Sequence, residues 1–148
     1  MYKRQSLVAI DTETTGLKIR EHELVGISLA ISAANAIYIP ITYQIHANTA
    51  TLQNLSINDV AKALAPILYN PQIKKCGHNI KFDRHFLAKY EIELDQVTHD
   101  TMIFAYADNQ SRQFNLDACA KYYLNKSGIS YEELISYSID KTLSLIHI

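Results

Sequence analysis

The chain has 148 residues, enough for one domain with a hydrophobic core. Hydrophobic residues make up 48% of it and charged residues 20%, which is typical of globular proteins, and no apolar stretch is long enough to span a membrane. The net charge of −1 argues against a protein that grips long duplex DNA through many Lys and Arg side chains, whereas an acidic cleft that takes its positive charge from bound metal is compatible with it. The N-terminus lacks the apolar region and cleavage site of a signal peptide, so we expect a cytoplasmic protein without a membrane partner.

Hydrophobic runs in the first half of the chain predict three strands and a helix. The strands are predicted at Leu7–Ile10, Leu24–Ile31 and Ala36–Ile41. The break between the second and the third is short enough for a hairpin. Ser56 is a suitable N-cap for a helix whose apolar positions continue to about Asn70.

The second half of the chain predicts one more strand, at Ile73–Gly77, and several helices. The helices are predicted at Asn79–Tyr90, Thr101–Asp108 and Leu116–Leu124. Asp100 is the expected N-cap of the second of these, and Ser130–Glu133 has the pattern of a capping box that opens another helix. Three strands followed by alternating helices and a strand predict an α/β fold: a mixed sheet flanked by helices, in a ribonuclease H-like layout.

Two acidic residues follow the first predicted strand directly. Asp11 and Glu13 are two positions apart, and residues two apart in an extended chain share a face. Carboxylates this close repel each other, and a divalent cation such as Mg²⁺ or Mn²⁺ would remove that penalty. The alternative is a solvated strand end at which Asp11 hydrogen-bonds the backbone of the following turn. The pair alone does not decide between the two interpretations.

The helix predicted at residues 79–90 supplies a third carboxylate. Positions four apart lie on one helix face, and the apolar stripe that contains Phe82 and Phe86 also contains Asn79 and Asp83. A carboxylate on the core-facing side of a helix is costly unless it is paired or binds metal. The alternative is that Asp83 lies at the edge of the stripe near the helix start, where the helix dipole favours a negative charge. Taken with the strand pair, the inward carboxylate favours a metal site.

These residues resemble two motifs of the DnaQ-like 3′–5′ exonucleases. Residues Val8–Leu17 are similar to the first motif, and Gly77–Asp83, with its Asn-x-x-x-Asp pattern, is similar to the second. Four further segments resemble the branch of bacterial DNA polymerase I, family A: Leu24–Ala30, Ala36–Pro40, Asp100–Met102 and Asn115–Asp117. The resemblance covers the chain up to about Ile139, and it is specific because both motifs and their connecting segments agree in order.

The resemblance implies a proofreading nuclease that uses two divalent metal ions, Mg²⁺ or Mn²⁺, to hydrolyse the 3′-terminal phosphodiester of a single-stranded DNA 3′ end. Asp11 would bridge both metals, Glu13 would bind the metal that activates water, and Asp83 would help to hold the second. Three further residues would contact or position the substrate: Thr14, Leu17 and Asn79. A polymerase domain of the same parent chain is the implied partner.

The sequence departs from the family after Asp83. The family's third motif, Tyr-x-x-x-Asp or His-x-x-x-Asp, supplies the last metal carboxylate and a water-orienting ring, and no such pair occurs between Asp83 and Ile148. We therefore expect residues 1–142 to be a partial exonuclease domain, truncated before this motif, with weak or absent activity. The tail Leu143–Ile148 resembles the translation of a transposon end used in sequencing-library preparation, so a non-native tail is expected; a native apolar strand is the alternative.

Two other functions stay open at this point. A free-standing RNA exonuclease of the ribonuclease D type shares the motifs and the fold, although the polymerase-like hairpin favours the proofreading domain. A non-catalytic domain that only binds nucleic acid is the third interpretation. The three acidic residues argue against it for the parent protein, but they do not exclude it for this chain alone.

Overall fold

The computed structural model describes residues 7–41 and 55–128. Within these ranges the chain forms five strands and four helices. The strands are β1 (Leu7–Thr14), β2 (Leu24–Ser32), β3 (Asn35–Pro40), β4 (Lys74–Gly77) and β5 (Val97–Asp100). The helices are α1 (Ile57–Leu68), α2 (Ile80–Lys89), α3 (Thr101–Asp108) and α4 (Leu116–Leu124). No helix in these described ranges is long and apolar enough to cross a membrane.

The strands form one mixed sheet in the order β3-β2-β1-β4-β5, with β1 at its centre. β1 is antiparallel to β2 and β2 to β3, whereas β4 and β5 run parallel to β1. The pairing of β1 is uneven, because it pairs with β2 from Ala9 to Thr14 but with β4 only from Leu7 to Ala9. Beyond Ala9, the edge of β1 that faces β4 is therefore open to side chains from other elements.

The hydrophobic core joins α1 and α2 to one face of the sheet. Val8 and Ile10 of β1 are buried in a single cluster with residues of the helices and neighbouring strands. α1 contributes three residues that recur every four positions and so share one helix face: Val60, Leu64 and Leu68. Because side chains alternate along a strand, Asp11 and Glu13 lie on the face of β1 opposite to Val8 and Ile10.

Asp100, the last residue of β5, caps two helices at once. Its carboxylate accepts hydrogen bonds from the backbone N–H groups of Met102 and Ile103 at the start of α3, at 2.9 and 3.4 Å. It also accepts from the N–H groups of Asn79 and Ile80 at the start of α2, at 3.0 and 3.1 Å. One side chain thus satisfies four of the backbone donors that helices leave unpaired at their N-termini, and it fixes the direction in which α2 leaves the sheet.

The structure confirms the predicted order of elements and differs from the expectation in two places. β1 continues to Thr14 instead of ending at Ile10, so the two acidic residues of the first motif lie within the strand rather than after it. The sequence pattern does not predict β5, because Val97–Asp100 is a four-residue strand without an apolar run. The capping box at Ser130–Glu133 and the tail Leu143–Ile148 lie outside the described residues.

Replacing Asp100 by alanine removes both caps and is expected to destabilise the fold. A lost N-cap costs about 1–2 kcal/mol in a protein, so the free energy of unfolding should fall by roughly 2–4 kcal/mol. Urea denaturation followed by circular dichroism measures this change. Asp117→Ala is the matched control, since Asp117 is an exposed residue in the first turn of α4, and it should cost less than about 0.5 kcal/mol. Equal stability of D100A and the unchanged chain would contradict the double cap.

Candidate functional site

A cleft of about 190 Å³ lies where β1 meets the start of α2. The residues that line it are Asp11, Thr12, Glu13, Leu17, His78, Asn79, Phe82 and Asp83. Five of the six residues predicted for the site are thus in one place. The exception is Thr14, whose side chain is buried and whose hydroxyl donates a hydrogen bond to the carbonyl of Gly16 at 2.9 Å.

Asp83 is anchored to β1 through Thr12. The backbone N–H and the hydroxyl of Thr12 both donate to Oδ1 of Asp83, at 2.9 and 2.6 Å. This backbone N–H is within reach because β4 does not pair with β1 beyond Ala9. Only 2% of Asp83 is exposed, and the two donors offset part of the cost of burying its carboxylate. The predicted inward orientation of Asp83 is confirmed, and its neighbours Lys81, Arg84 and His85 are exposed.

Thr12 is a site residue that the sequence analysis does not identify. A threonine between two acidic residues of a strand points to the opposite face, so it carries no signal as a metal ligand. The alternation of side chains along β1 does point to Thr12, because it places Thr12 on the core face with Val8 and Ile10, where a buried hydroxyl needs a hydrogen-bond partner. Asp83 is the other polar residue predicted to point inward, and the hydrogen bonds between Thr12 and Asp83 give each buried group a partner.

Burial raises the pKa values of all three carboxylates, and repulsion between carboxylates adds to the rise for Glu13 and Asp83. Burial and, after it, the negative charges of Asp11 and Asp83 together raise the pKa of Glu13 to about 7. Burial also raises the pKa of Asp83 to about 6, against the hydrogen bonds from Thr12 that lower it. The pKa of Asp11 is raised by desolvation and lowered in part by His78. The cleft therefore favours the uptake of a proton or a cation near neutral pH.

The carboxylates share the cleft without forming a ready-made ligand cluster. In residues 7–41 and 55–128, no three His, Cys, Asp or Glu side chains are grouped so that they could hold one metal ion. The hydrogen bonds to Asp83 provide a physical reason, because they turn its Oδ1 toward Thr12. Repulsion between carboxylates acts in the same direction. The metal-ligand roles of Asp11, Glu13 and Asp83 therefore stay a prediction.

Asn79 lies at the N-terminus of α2 in a left-handed backbone conformation, with φ 62° and ψ 40°. Asparagine adopts this conformation more readily than most residues, and such strained positions are frequent at functional sites. Its side chain makes no capping hydrogen bond to α2, since Asp100 caps this helix instead. The Asn79 amide lines the cleft, so it is placed to meet a ligand there.

His78 connects the cleft to the segment between α3 and α4. Its Nε2 lies 2.8 Å from the carbonyl oxygen of Phe114, and its Nδ1 lies 2.9 Å from the hydroxyl of Thr101. Because a carbonyl can only accept, Nε2 carries a proton and donates it to Phe114. The ring thus ties the end of β4 to the chain that follows α3. In the sequence, His78 is the residue directly before Asn79 in the second motif.

Solved structures of other proteins share this fold. RNase D of Escherichia coli, an exoribonuclease involved in structured RNA processing, matches with a TM-score of 0.63 at 21% identity, over 90% of this chain and 31% of that one. NrnC of Brucella melitensis with bound Mg²⁺ matches with a TM-score of 0.64 at 22% identity, over 93% of this chain and 62% of that one. Identities this low show the fold alone. The chain is a ribonuclease H-like α/β domain, as the order of its elements predicts.

The sequence comparison then identifies the family. The family model described as 3′–5′ exonuclease matches residues 1–147, and the chain belongs to this family. DNA polymerase I of Pseudomonas aeruginosa is 33% identical over 131 residues, which are 86% of this chain. The chain spans 14% of the length of that relative. The resemblance found in the two motifs is confirmed, while the activity of a whole polymerase is a separate question.

The stability of the metal-free chain is expected to fall as the pH rises toward neutrality. An acid whose pKa is higher in the folded than in the unfolded state binds more protons when folded, so stability is lost between the two pKa values as the pH increases. For Glu13 this window runs from 4.5 to about 7, and for Asp83 from 3.8 to about 6. Urea denaturation with EDTA at about pH 5 and about pH 7.5 measures the slope.

Glu13→Gln should flatten this pH dependence, because a glutamine does not titrate. Glu93→Gln, a change of the same kind at an exposed position, should leave the slope unchanged. If the E13Q and unchanged chains lose stability equally between the two pH values, a raised pKa of Glu13 is not the cause of the pH dependence.

Proposed function

We propose that the chain is the 3′–5′ proofreading exonuclease part of a DNA polymerase I. It would hydrolyse the 3′-terminal phosphodiester of single-stranded DNA and release nucleoside 5′-monophosphates during replication and repair. The observation that carries the proposal is the cleft that Asp11, Glu13 and Asp83 share in a chain of the 3′–5′ exonuclease family. Their raised pKa values support it, because acids with perturbed pKa values in one cleft are frequent at catalytic sites.

Two divalent ions, Mg²⁺ or Mn²⁺, are the cofactors that suit this donor set. Carboxylate oxygens are the ligands that these cations prefer, and a cation would offset both the burial of the Glu13 charge and the repulsion from Asp11 and Asp83, which together raise the pKa of Glu13. Asp11 would bridge both ions, and Glu13 would hold the ion beside the attacking water. Asp83 would hold the second through Oδ2, the oxygen that does not accept from Thr12. When bound, such ions lower the pKa of water and stabilise charge on the attacking and leaving oxygens.

Side chains beside the carboxylates would hold the 3′-terminal nucleotide. Leu17 lines the cleft and is 60% exposed, so its apolar surface suits the face of the terminal base. The amide of Asn79 can donate to and accept from polar groups of the nucleotide. Thr14 would act on the sugar end indirectly, because its hydroxyl is bonded to Gly16 and stabilises the loop that leads to Leu17.

A polymerase domain in the same parent chain is the proposed partner. The Pseudomonas aeruginosa relative is a DNA polymerase I, and this chain matches only 14% of its length. A ribonuclease D-like action on RNA is the second candidate. Its support is the shared fold with RNase D of Escherichia coli, at 21% identity. The sequence relative supports the DNA polymerase more directly, because its identity of 33% is higher.

Calorimetry with Mn²⁺ tests the metal site. The 148-residue chain is expected to bind Mn²⁺, and Asp11→Ala should weaken binding at least about tenfold, because the site loses the carboxylate that would help to hold both ions. Asp117→Ala, at an exposed position in α4, is the control and should bind as the unchanged chain does. No binding by the unchanged chain would instead favour a non-catalytic nucleic-acid-binding domain.

A Mg²⁺-dependent hydrolysis assay on single-stranded DNA and on RNA of the same sequence tests the activity. Residues 84–148 contain no Tyr-x-x-x-Asp or His-x-x-x-Asp, so these 148 residues by themselves would lack one of the expected metal carboxylates, and their turnover is expected to be weak or absent. Turnover equal to that of a complete polymerase exonuclease would contradict this expectation. A preference for RNA would favour the ribonuclease D-like candidate.

A further inference from the structure

Tyr38 of β3 lies on the same sheet face as the acidic pair of β1. Ser28 of β2 pairs with Asp11 on one side and with Tyr38 on the other, so these three residues form one row across the sheet. Residues directly opposite each other in antiparallel strands point to the same face. Glu13 and Gly26 are directly opposite each other in the next row. Tyr38 is therefore a neighbour of the cleft from the side opposite to α2.

Gly26 leaves the space into which the Tyr38 ring leans. A Cβ atom on Gly26 would lie 2.2 Å from the Tyr38 hydroxyl oxygen and 2.4 Å from Cζ, so every other residue type at this position would collide with the phenol. The ring starts in the row of Asp11 but its hydroxyl lies over Gly26, in the row of Glu13. Cβ atoms of directly opposite residues are about 4.5–5.5 Å apart, so the hydroxyl lies within one side-chain length of the Glu13 carboxylate.

Among the described residues, neither the side chain of Glu13 nor that of Tyr38 has a hydrogen-bond partner, and Gly26 is next to both, as the strand partner of Glu13 and the residue over which the Tyr38 hydroxyl lies. Desolvation raises the pKa of Tyr38, and the nearby charge of Glu13 adds to the rise, as their proximity across Gly26 requires. A polar gap of this kind between two groups is commonly bridged by water. Tyr38 is 54% exposed, so water reaches the hydroxyl.

We propose that Tyr38 is a positioning residue of the nuclease site, whose hydroxyl holds the Glu13 carboxylate through one bridging water molecule. Glu13 turns about three side-chain bonds, and a fixed hydroxyl beside it restricts the directions in which its oxygens can face the cleft. The positioning role rests on the proposed function, since the orientation of Glu13 affects activity only if Glu13 binds metal. The contact between Tyr38 and Glu13 is testable without metal.

The metal-free test uses carbon NMR of the chain labelled in its tyrosine rings. The signal that disappears in Tyr38→Phe is assigned to Tyr38, and Glu13→Gln should shift it, because the group that faces the phenol has lost its charge. Glu93→Gln is the matched control at an exposed position and should leave the signal in place. A Tyr38 signal that is indifferent to Glu13→Gln overturns the proposal.

The second test measures Mn²⁺ affinity by calorimetry. Tyr38→Phe removes one oxygen atom and should weaken Mn²⁺ binding about tenfold, as the loss of a residue that orients a ligand does. Tyr69→Phe, the same change on an exposed tyrosine at the end of α1, should not. Gly26→Ala should weaken binding as Tyr38→Phe does, because its methyl group displaces the phenol, and the double variant should be no weaker than either.

The outcomes separate the two proposals. If the unchanged chain binds no Mn²⁺, the proposed function fails, and the NMR test still decides whether Tyr38 senses Glu13. If the unchanged chain binds Mn²⁺ and Tyr38→Phe binds it equally well, the function survives and the role of Tyr38 is overturned. Weaker binding in Gly26→Ala alone also overturns it, since that result assigns the effect to the backbone of β2.

Discussion

The hydrogen bonds between Thr12 and Asp83 are the contact on which the rest of the cleft depends. They join the central strand to the second helix at the point where β4 no longer pairs with β1, and they bury a carboxylate that would otherwise be costly. Through them the stretch of β1 that carries Asp11 and Glu13 is placed beside the start of α2, and the two elements line one cleft. Because the pairing between β1 and β4 ends at Ala9, the backbone N–H of Thr12 is free to donate to Asp83 of α2.

The same cleft concentrates unfavourable charge. Glu13 lies near two other carboxylates, and its pKa of about 7 reflects both its burial and their repulsion. The hydrophobic core does not require Asp11 or Glu13 at these positions, since the core cluster lies on the other face of β1. Destabilising groups of like charges in a fold usually have a function, and a divalent ion bound between the carboxylates would replace their repulsion by attraction.

The sequence predicts those parts of the site that follow from periodicity. Alternation in β1 places Asp11 and Glu13 on one face, and the four-residue spacing in α2 turns Asp83 inward. Features that depend on pairing between distant segments are beyond such patterns. β5 is too short to show a period, and the partnership of Thr12 with Asp83 spans 71 positions. The approach of Tyr38 to Glu13 depends likewise on the register of three strands and on the absence of a side chain at Gly26.

The double cap by Asp100 has a consequence for the order in which the cleft can assemble. The donor at Ile80 and its acceptor are 20 positions apart, and the acceptor comes later in the chain. During synthesis, α2 leaves the ribosome before the carboxylate that completes its first turn. Until β5 joins β4, the helix end has unpaired N–H groups and no fixed direction, so Asp83 cannot be held against β1. The start of α2 thus depends on a residue that follows it in the chain, and a nascent chain that stops short of β5 carries the acidic residues without the cap that directs this helix.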